Sequence, residues 1–159
     1  MGYVENILEP GERILHRAHL HWIVYGPAVG FALGALGCLI LAAPGNEDKW
    51  LGLALTAFLL LAVTKFLTAL ISRYTTEIAV TDQRVISKMG LIKRDTIEIN
   101  AAKVESVDVR QSILGRFLDY GTVIVSGTGW KALPMVSVAK PLELRRAVGR
   151  ISSNVIPRG

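Results

Sequence analysis

The residue types that most often carry chemistry are few in this chain. His16, His19 and His21 stand close together just ahead of a long apolar stretch. Imidazoles at this spacing can ligate zinc, but a site needs further donors on a defined scaffold. The one cysteine, Cys38, lies inside the apolar stretch. The three histidines are therefore read as interfacial residues, and no metal is expected. Ser126-Gly127-Thr128-Gly129 could be imagined cradling a phosphate, yet it lacks the Walker lysine spacing and a following helix, which makes it a strand-to-strand turn. No Gly-x-Ser-x-Gly elbow and no His-Glu-x-x-His pair occurs. Asp82 and Asp119 lie beside turn residues, where carboxylates brace backbone N–H groups. No catalytic residue and no cofactor is expected, and the chain reads as a non-enzyme.

Basic residues are the better signal. Arg73, Arg84, Lys88, Lys93 and Arg94 follow a second apolar stretch, the last four around a hairpin expected near Gly90-Leu91. A positive side chain beside an anionic leaflet contributes about 1 kcal/mol, within roughly a Debye length. These five are the candidate lipid- or partner-binding residues. Strand neighbours alternate sides, so the hairpin cations can share one surface only in part, and a generic solvated face is the alternative. Nucleic acid is not expected, since no interleaved aromatics or recognition motif accompany the charge. Lys65 lies within the second stretch, where a charge suggests an ion or proton path. Its long stem equally lets it snorkel to the headgroups, and that is the reading taken.

These residues must be positioned by elements that the charge pattern reveals. The chain has 159 residues, 51% hydrophobic, with one cysteine and a net charge of +5. That excludes disorder and a disulfide scaffold. No Asp, Glu, Lys or Arg occurs between Arg17 and Glu47, and between Lys49 and Arg73 the only charge is Lys65. The apolar stretches Trp22–Pro44 and Trp50–Ile71 are each about 22 residues, roughly 33 Å as helix, which matches a bilayer core. Trp22, Tyr25 and Trp50 fall near their ends, at headgroup level. A helical hairpin buried in a soluble core is the alternative, but such helices are usually shorter or carry a polar stripe.

The expected organisation is a cytoplasmic N-terminal segment 1–21, a transmembrane helix 22–44, an external loop 45–49, a second transmembrane helix 50–71 and a cytoplasmic domain 72–159. Arg13 and Arg17 precede the first span and Arg73, Arg84 and Lys88 follow the second, while the loop has only Lys49. The positive-inside bias puts both termini in the cytoplasm. A signal peptide fails, because Glu5, Glu9 and Glu12 offset the arginines and the apolar run is too long. Myristoylation fails at Asn6, which should be Ser or Thr. Gly26, Gly30 and Gly34 line one face of the first span and are the candidate helix-packing residues. They form either a dimer seam or a contact with the second helix of the same hairpin.

From Ser72 onward the chain holds 14 Lys and Arg against 8 Asp and Glu, a net of +6. Its apolar pattern has period two: Ile78/Val80, Ile97/Ile99, Val107/Val109, Val123/Val125 and Val136/Val138, with Val85-Ile86 in a further strand. Thr81-Asp82-Gln83, Met89-Gly90, Asn100-Ala101-Ala102, Gly127-Thr128-Gly129 and Leu133-Pro134 read as turns between them. Val104 and Val107 are out of phase, which predicts a bulge near Glu105-Ser106. Pro141 suits a first helical position, and Leu144, Val148, Ile151 and Val155 then follow helical spacing, with Arg145, Arg146 and Arg150 largely off that stripe. Six or seven strands and one terminal helix match the pleckstrin-homology (PH) plan.

Particular runs carry a family likeness. Thr76 to Ile86, Ile99 to Ser112, Leu114-Gly115-Arg116, Asp119-Tyr120-Gly121-Thr122-Val123, Leu8-Glu9-Pro10-Gly11-Glu12 and His21-Trp22 together resemble the bacterial PH-like membrane proteins of the YdbS-like type. Gly129-Trp130 departs from that pattern, since relatives often continue with another glycine. The resemblance implies an α+β membrane protein: a two-helix transmembrane hairpin followed by a PH-like β-barrel or sandwich with a C-terminal capping helix, in a bacterial plasma (inner) membrane. It implies binding, of a protein partner or anionic lipid at the cytoplasmic face. A homo-oligomeric structural or stress-protective assembly is the alternative, and a small transporter or channel subunit comes third.

Overall fold

The computed structural model describes residues 3–42, 48–90, 95–128 and 132–155. The chain forms two units, one of residues 1–21 and 73–159, the other of residues 22–72. In the second unit a 3₁₀ turn, Trp22–Tyr25, leads into α2 (Gly26–Leu41), with Pro27 in its first turn, where proline's fixed φ is suited. The helix α3 spans Lys49–Thr75, past the expected end at Ile71. Both segments are long and apolar enough to cross a membrane, and only 11% and 6% of their most apolar windows is buried. Leu33, Leu39, Leu53 and Leu60 are all exposed. A soluble core hairpin buries such surface, so that alternative fails.

Contact between the two helices is made by small residues and rings. Ala28 and Ala35 are the buried residues of α2. Tyr25 meets Phe66 with ring centroids 5.5 Å apart, and Phe31 meets Phe58 at 6.3 Å.

The first unit is a sandwich of two antiparallel sheets. The first sheet has the order β1 (Ile14–Ala18), β2 (Glu77–Thr81), β3 (Arg84–Met89), β4 (Asp95–Asn100). The second has β5 (Val104–Arg110), β6 (Tyr120–Gly127) and β7 (Leu133–Ala139). A short helix α4 (Ile113–Phe117) links β5 to β6, and α5 (Pro141–Val155) closes the chain. Ile78, Val80, Val85 and Ile99 meet Val123, Val125, Met135 and Val138 between the sheets, and Leu144, Val148 and Ile151 enter from α5. Each such side chain contributes roughly 1.5–3 kcal/mol by leaving water. The arrangement is the α+β plan expected: two apolar helices, a two-sheet sandwich and a C-terminal helix.

The N-terminal segment departs from expectation. Residues 14–18 were expected outside the cytoplasmic domain, yet they form the edge strand of its first sheet, with Arg17 opposite Ala79 and Ala18 opposite Ile78. Pairing satisfies the exposed edge of β2. Ahead of it, α1 (Tyr3–Asn6) and the residues after it cover the outer face of this sheet, where Val4, Ile7 and Ile14 pack on Ala79 and Ile86. That cover explains why β2 and β3 carry buried residues on both faces.

Other details sharpen the pattern. The β5–β6 register shifts between Val104 and Ser106, at the expected bulge. Asn100 caps the 3₁₀ turn Ala101–Lys103 by accepting from the Ala102 N–H. Leu133-Pro134, read as a turn, belongs to β7, an edge strand where proline removes no needed donor. Val136 is 57% exposed although Val138 is buried. Ser137 adopts φ +56° between them and breaks the alternation. Gly129 and Trp130 lie outside the described residues.

Candidate functional site

Arg84 is the most heavily engaged of the candidate cations. It opens β3, and its guanidinium donates to both carboxylate oxygens of Glu12, at 3.0 and 2.7 Å. It also donates to Glu98 at 2.9 Å and to the Ile7 carbonyl at 2.9 Å, with Glu9 3.6 Å away. The Glu12 side chain is wholly shielded from solvent. Burial raises its pKa, but hydrogen bonds from Arg84, Thr81 and the Glu9 backbone, with the Arg84 charge, outweigh this and bring it down to about 2. The Glu12 hydrogen bond, with the charges of Glu12, Glu98 and Glu9, raises the Arg84 pKa against its burial. Arg84 thus clamps the N-terminal segment to the sheet with four of its five N–H donors, and Glu9 stands nearest the fifth.

The remaining candidates are dispersed. Lys88, with only 15% of its side chain exposed, stands 4.0 Å from Glu77. Arg73 lies in the last turn of α3. Lys93 and Arg94 lie outside the described residues. Gly34 is the one glycine of its stripe in close packing: a Cβ there would stand 3.0 Å from the Phe58 ring, while at Gly26 and Gly30 it would meet nothing within 4 Å. Asp82 accepts from the Arg13 N–H at 3.1 Å, bracing backbone as expected. Asp119 instead holds φ +55°, and its carbonyl accepts from the Lys140 N–H.

The histidines gather where the chain leaves for the first apolar helix. The His21 N–H donates to the Ser137 carbonyl at 2.7 Å, and the Ala139 N–H donates to the His19 carbonyl at 3.0 Å. The His21 ring stacks on Tyr120 at 5.3 Å. Burial, with a smaller contribution from Arg73, lowers its pKa, against the Asp119 charge and a hydrogen bond to the Leu118 backbone. His16, His19 and His21 line one open cavity of about 430 Å³ with Arg17, Lys140, Asp119 and Glu143. Among the described residues, no group of three or more His, Cys, Asp and Glu is placed to hold a metal ion.

A second concavity was not foreseen. Arg110 from the end of β5, Arg116 from α4 and Arg145 from α5 line an open groove of about 870 Å³ together with Gln111, Ser112 and Asp119. Among the described residues, none of the three arginines has an ion-pair partner. They come from three separate elements, so no local run of sequence announced them. The available signals were Arg145 off the apolar stripe of α5 and Arg116 beside Gly115.

Two antiparallel sheets closed by a terminal helix, with arginine-lined and histidine-lined surfaces and no catalytic constellation among the described residues, define a PH-like domain. The chain belongs to the bacterial PH domain family, whose model matches residues 28–151. β1 lies outside that stretch. No curated protein and no solved structure matches the chain. Two apolar helices fit association with a membrane, and a PH-like domain points to binding as the task of the remainder.

Proposed function

We propose that this protein is a non-enzymatic binding module anchored at the cytoplasmic face of a bacterial plasma membrane. Residues 22–44 and 50–71 are its spans and 45–49 its outer loop. Its ligand is a protein partner or anionic lipid at that face. The observation that carries the reading is the pairing of Ala18 with Ile78. One strand precedes both apolar helices and its neighbour follows them, so a membrane crossed by both is left and re-entered from one side. β2 begins at Glu77, just after α3 ends at Thr75, which leaves almost no linker. Tethering this short gives the domain a high effective concentration toward anything on the bilayer surface. The candidate cations Arg73, Lys88, Lys93 and Arg94 stay with this reading, and Arg84 stays with it least, since four of its five donors serve the fold.

The test is photocrosslinking in native membranes, with the reactive group placed in turn at exposed positions of the domain. Adducts with a defined protein or with anionic lipid are expected, and a domain that yields none from any position sinks the reading. A second reading, a homo-oligomer assembled through the spans, is favoured by the open face at Gly26 and Gly30. Crosslinking that yields only monomers eliminates it.

A further inference from the structure

The helix α4 presents an apolar tip that none of the described residues covers. Ile113, Leu114 and Phe117 are 77%, 66% and 83% exposed. Exposed apolar groups clustered this way mark a binding surface for protein or membrane. The tip is rigidly held. Ser112 caps the helix by accepting from the Gly115 N–H at 3.0 Å, and Gln111 donates to the Gly115 and Tyr120 carbonyls at 3.3 and 3.1 Å. Gly115 lies so close to the chain that a Cβ would stand 2.7 Å from the Tyr120 carbonyl. Beside the tip lies the groove of Arg110, Arg116 and Arg145, with Asp119 its only carboxylate among the described residues.

Position says what the tip meets. Tyr120 opens β6 just after α4, and the His21 ring stacks on it. His21 is followed at once by Trp22, where the first apolar segment begins. The tip therefore stands at the end of the domain from which the chain departs for the membrane. Charge says the rest. A second copy would bring the same arginines against these, and like charges facing each other oppose that contact. Arginine guanidinium groups instead match phosphate oxygens, and apolar side chains between them enter the acyl boundary.

We propose that α4 is a third membrane contact: Ile113, Leu114 and Phe117 insert into the interface of an anionic phospholipid bilayer while Arg110, Arg116 and Arg145 bind its headgroup phosphates. This rests on the anchored-module reading and names its ligand. Full-length protein carrying Cys38→Ser and Phe117→Cys is labelled with a nitrobenzoxadiazole probe. It is then placed, one copy per disc, in nanodiscs of phosphatidylcholine or of phosphatidylcholine with phosphatidylglycerol. In the anionic discs the emission shifts to the blue and is quenched by headgroup-level nitroxide lipid. In neutral discs or high salt the shift is weaker. A probe at Thr128→Cys, at the far end of β6, reports water throughout. Replacing Arg110, Arg116 and Arg145 by Gln removes the anionic preference, by roughly fivefold per arginine.

A probe in water in both lipids overturns the proposal. So does an equal shift in both, or a shift that needs two copies per disc or an added soluble protein. Failure of the chain to enter discs at all strikes instead at the anchored reading. Incorporation with the probe in water strikes at this inference alone.

Discussion

The Glu12 carboxylate and the Arg84 guanidinium share two hydrogen bonds across 72 residues of sequence that include both apolar helices. Removing one partner of a buried pair leaves the other uncompensated, at a cost of about 3–5 kcal/mol. Arg84→Ala should lower the thermal midpoint of the full chain in detergent steeply, and Arg84→Lys, which loses the two-pronged geometry, should lower it less. Because the pair is shielded, added salt should change neither result much. If Arg84→Ala left the midpoint untouched and weakened only binding to anionic vesicles, Arg84 would be a headgroup ligand after all.

Acid should loosen this clamp. The Glu12 pKa falls from 4.5 to about 2 on folding. A lowered carboxylate pKa gives stability that is complete above the unfolded value and is lost as pH falls toward the folded one. For Glu12 that window runs from about 4.5 down to about 2 and holds on the order of 3 kcal/mol. His21 is also lowered, from 6.5, so the unfolded chain takes up its proton first and stability falls in the same direction, beginning near pH 6.5. Midpoints measured down a pH series should decline in two stages, and Glu12→Gln should flatten the more acidic one.

The pairing of Ala18 with Ile78 predicts which fragments fold. A fragment of residues 72–159 lacks β1, exposing the edge of β2, and lacks the cover over Ala79 and Ile86. It should unfold without a cooperative transition, or aggregate. Paired antiparallel residues have Cα atoms about 5 Å apart. Joining residues 1–21 to 73–159 through a short Gly-Ser linker should therefore restore a cooperative melt. An equally cooperative melt from the fragment alone would deny β1 any structural role.

What the sequence disclosed follows from how local each signal is. The two apolar helices need only an absence of charge, and β6 and α5 carry clean periods of two and 3.6 on their buried faces. β1 was not visible because Ile14-Leu15-His16-Arg17-Ala18 is short and charged, and its partner lies beyond two helices. The partner of Arg84 escaped for the same reason: Glu12 reads as a surface charge until the segment carrying it folds back. The break at Ser137 depends on one residue with positive φ, and no spacing encodes it.

The glycine stripe of α2 should divide by position. At Gly34 a Cβ would press on the Phe58 ring at 3.0 Å. Gly34→Leu should force the helices apart, and overpacking of this kind costs about 1–3 kcal/mol. Gly30→Leu meets open space within the chain and should leave hairpin stability unchanged. Unfolding of each variant in mixed detergent gives the comparison, and equal losses at the two sites would contradict the observed packing.

Gly115 offers a way to move the α4 tip without altering its apolar residues. A methyl there would come within 2.7 Å of the Tyr120 carbonyl, a backbone atom that cannot swing aside. Gly115→Ala should therefore displace α4 from β6, break the Gln111 bonds to the Gly115 and Tyr120 carbonyls, and cost about 1–3 kcal/mol. Amide exchange should rise over residues 111–120 and stay unchanged in β3 and β4. Gly149 on α5 meets nothing within 4 Å. Gly149→Ala there should stabilise by about 1 kcal/mol through helix propensity alone. A pair of variants that shifted exchange and melting identically would mean that Gly115 is merely a helical glycine and that its contact with Tyr120 does not fix the tip.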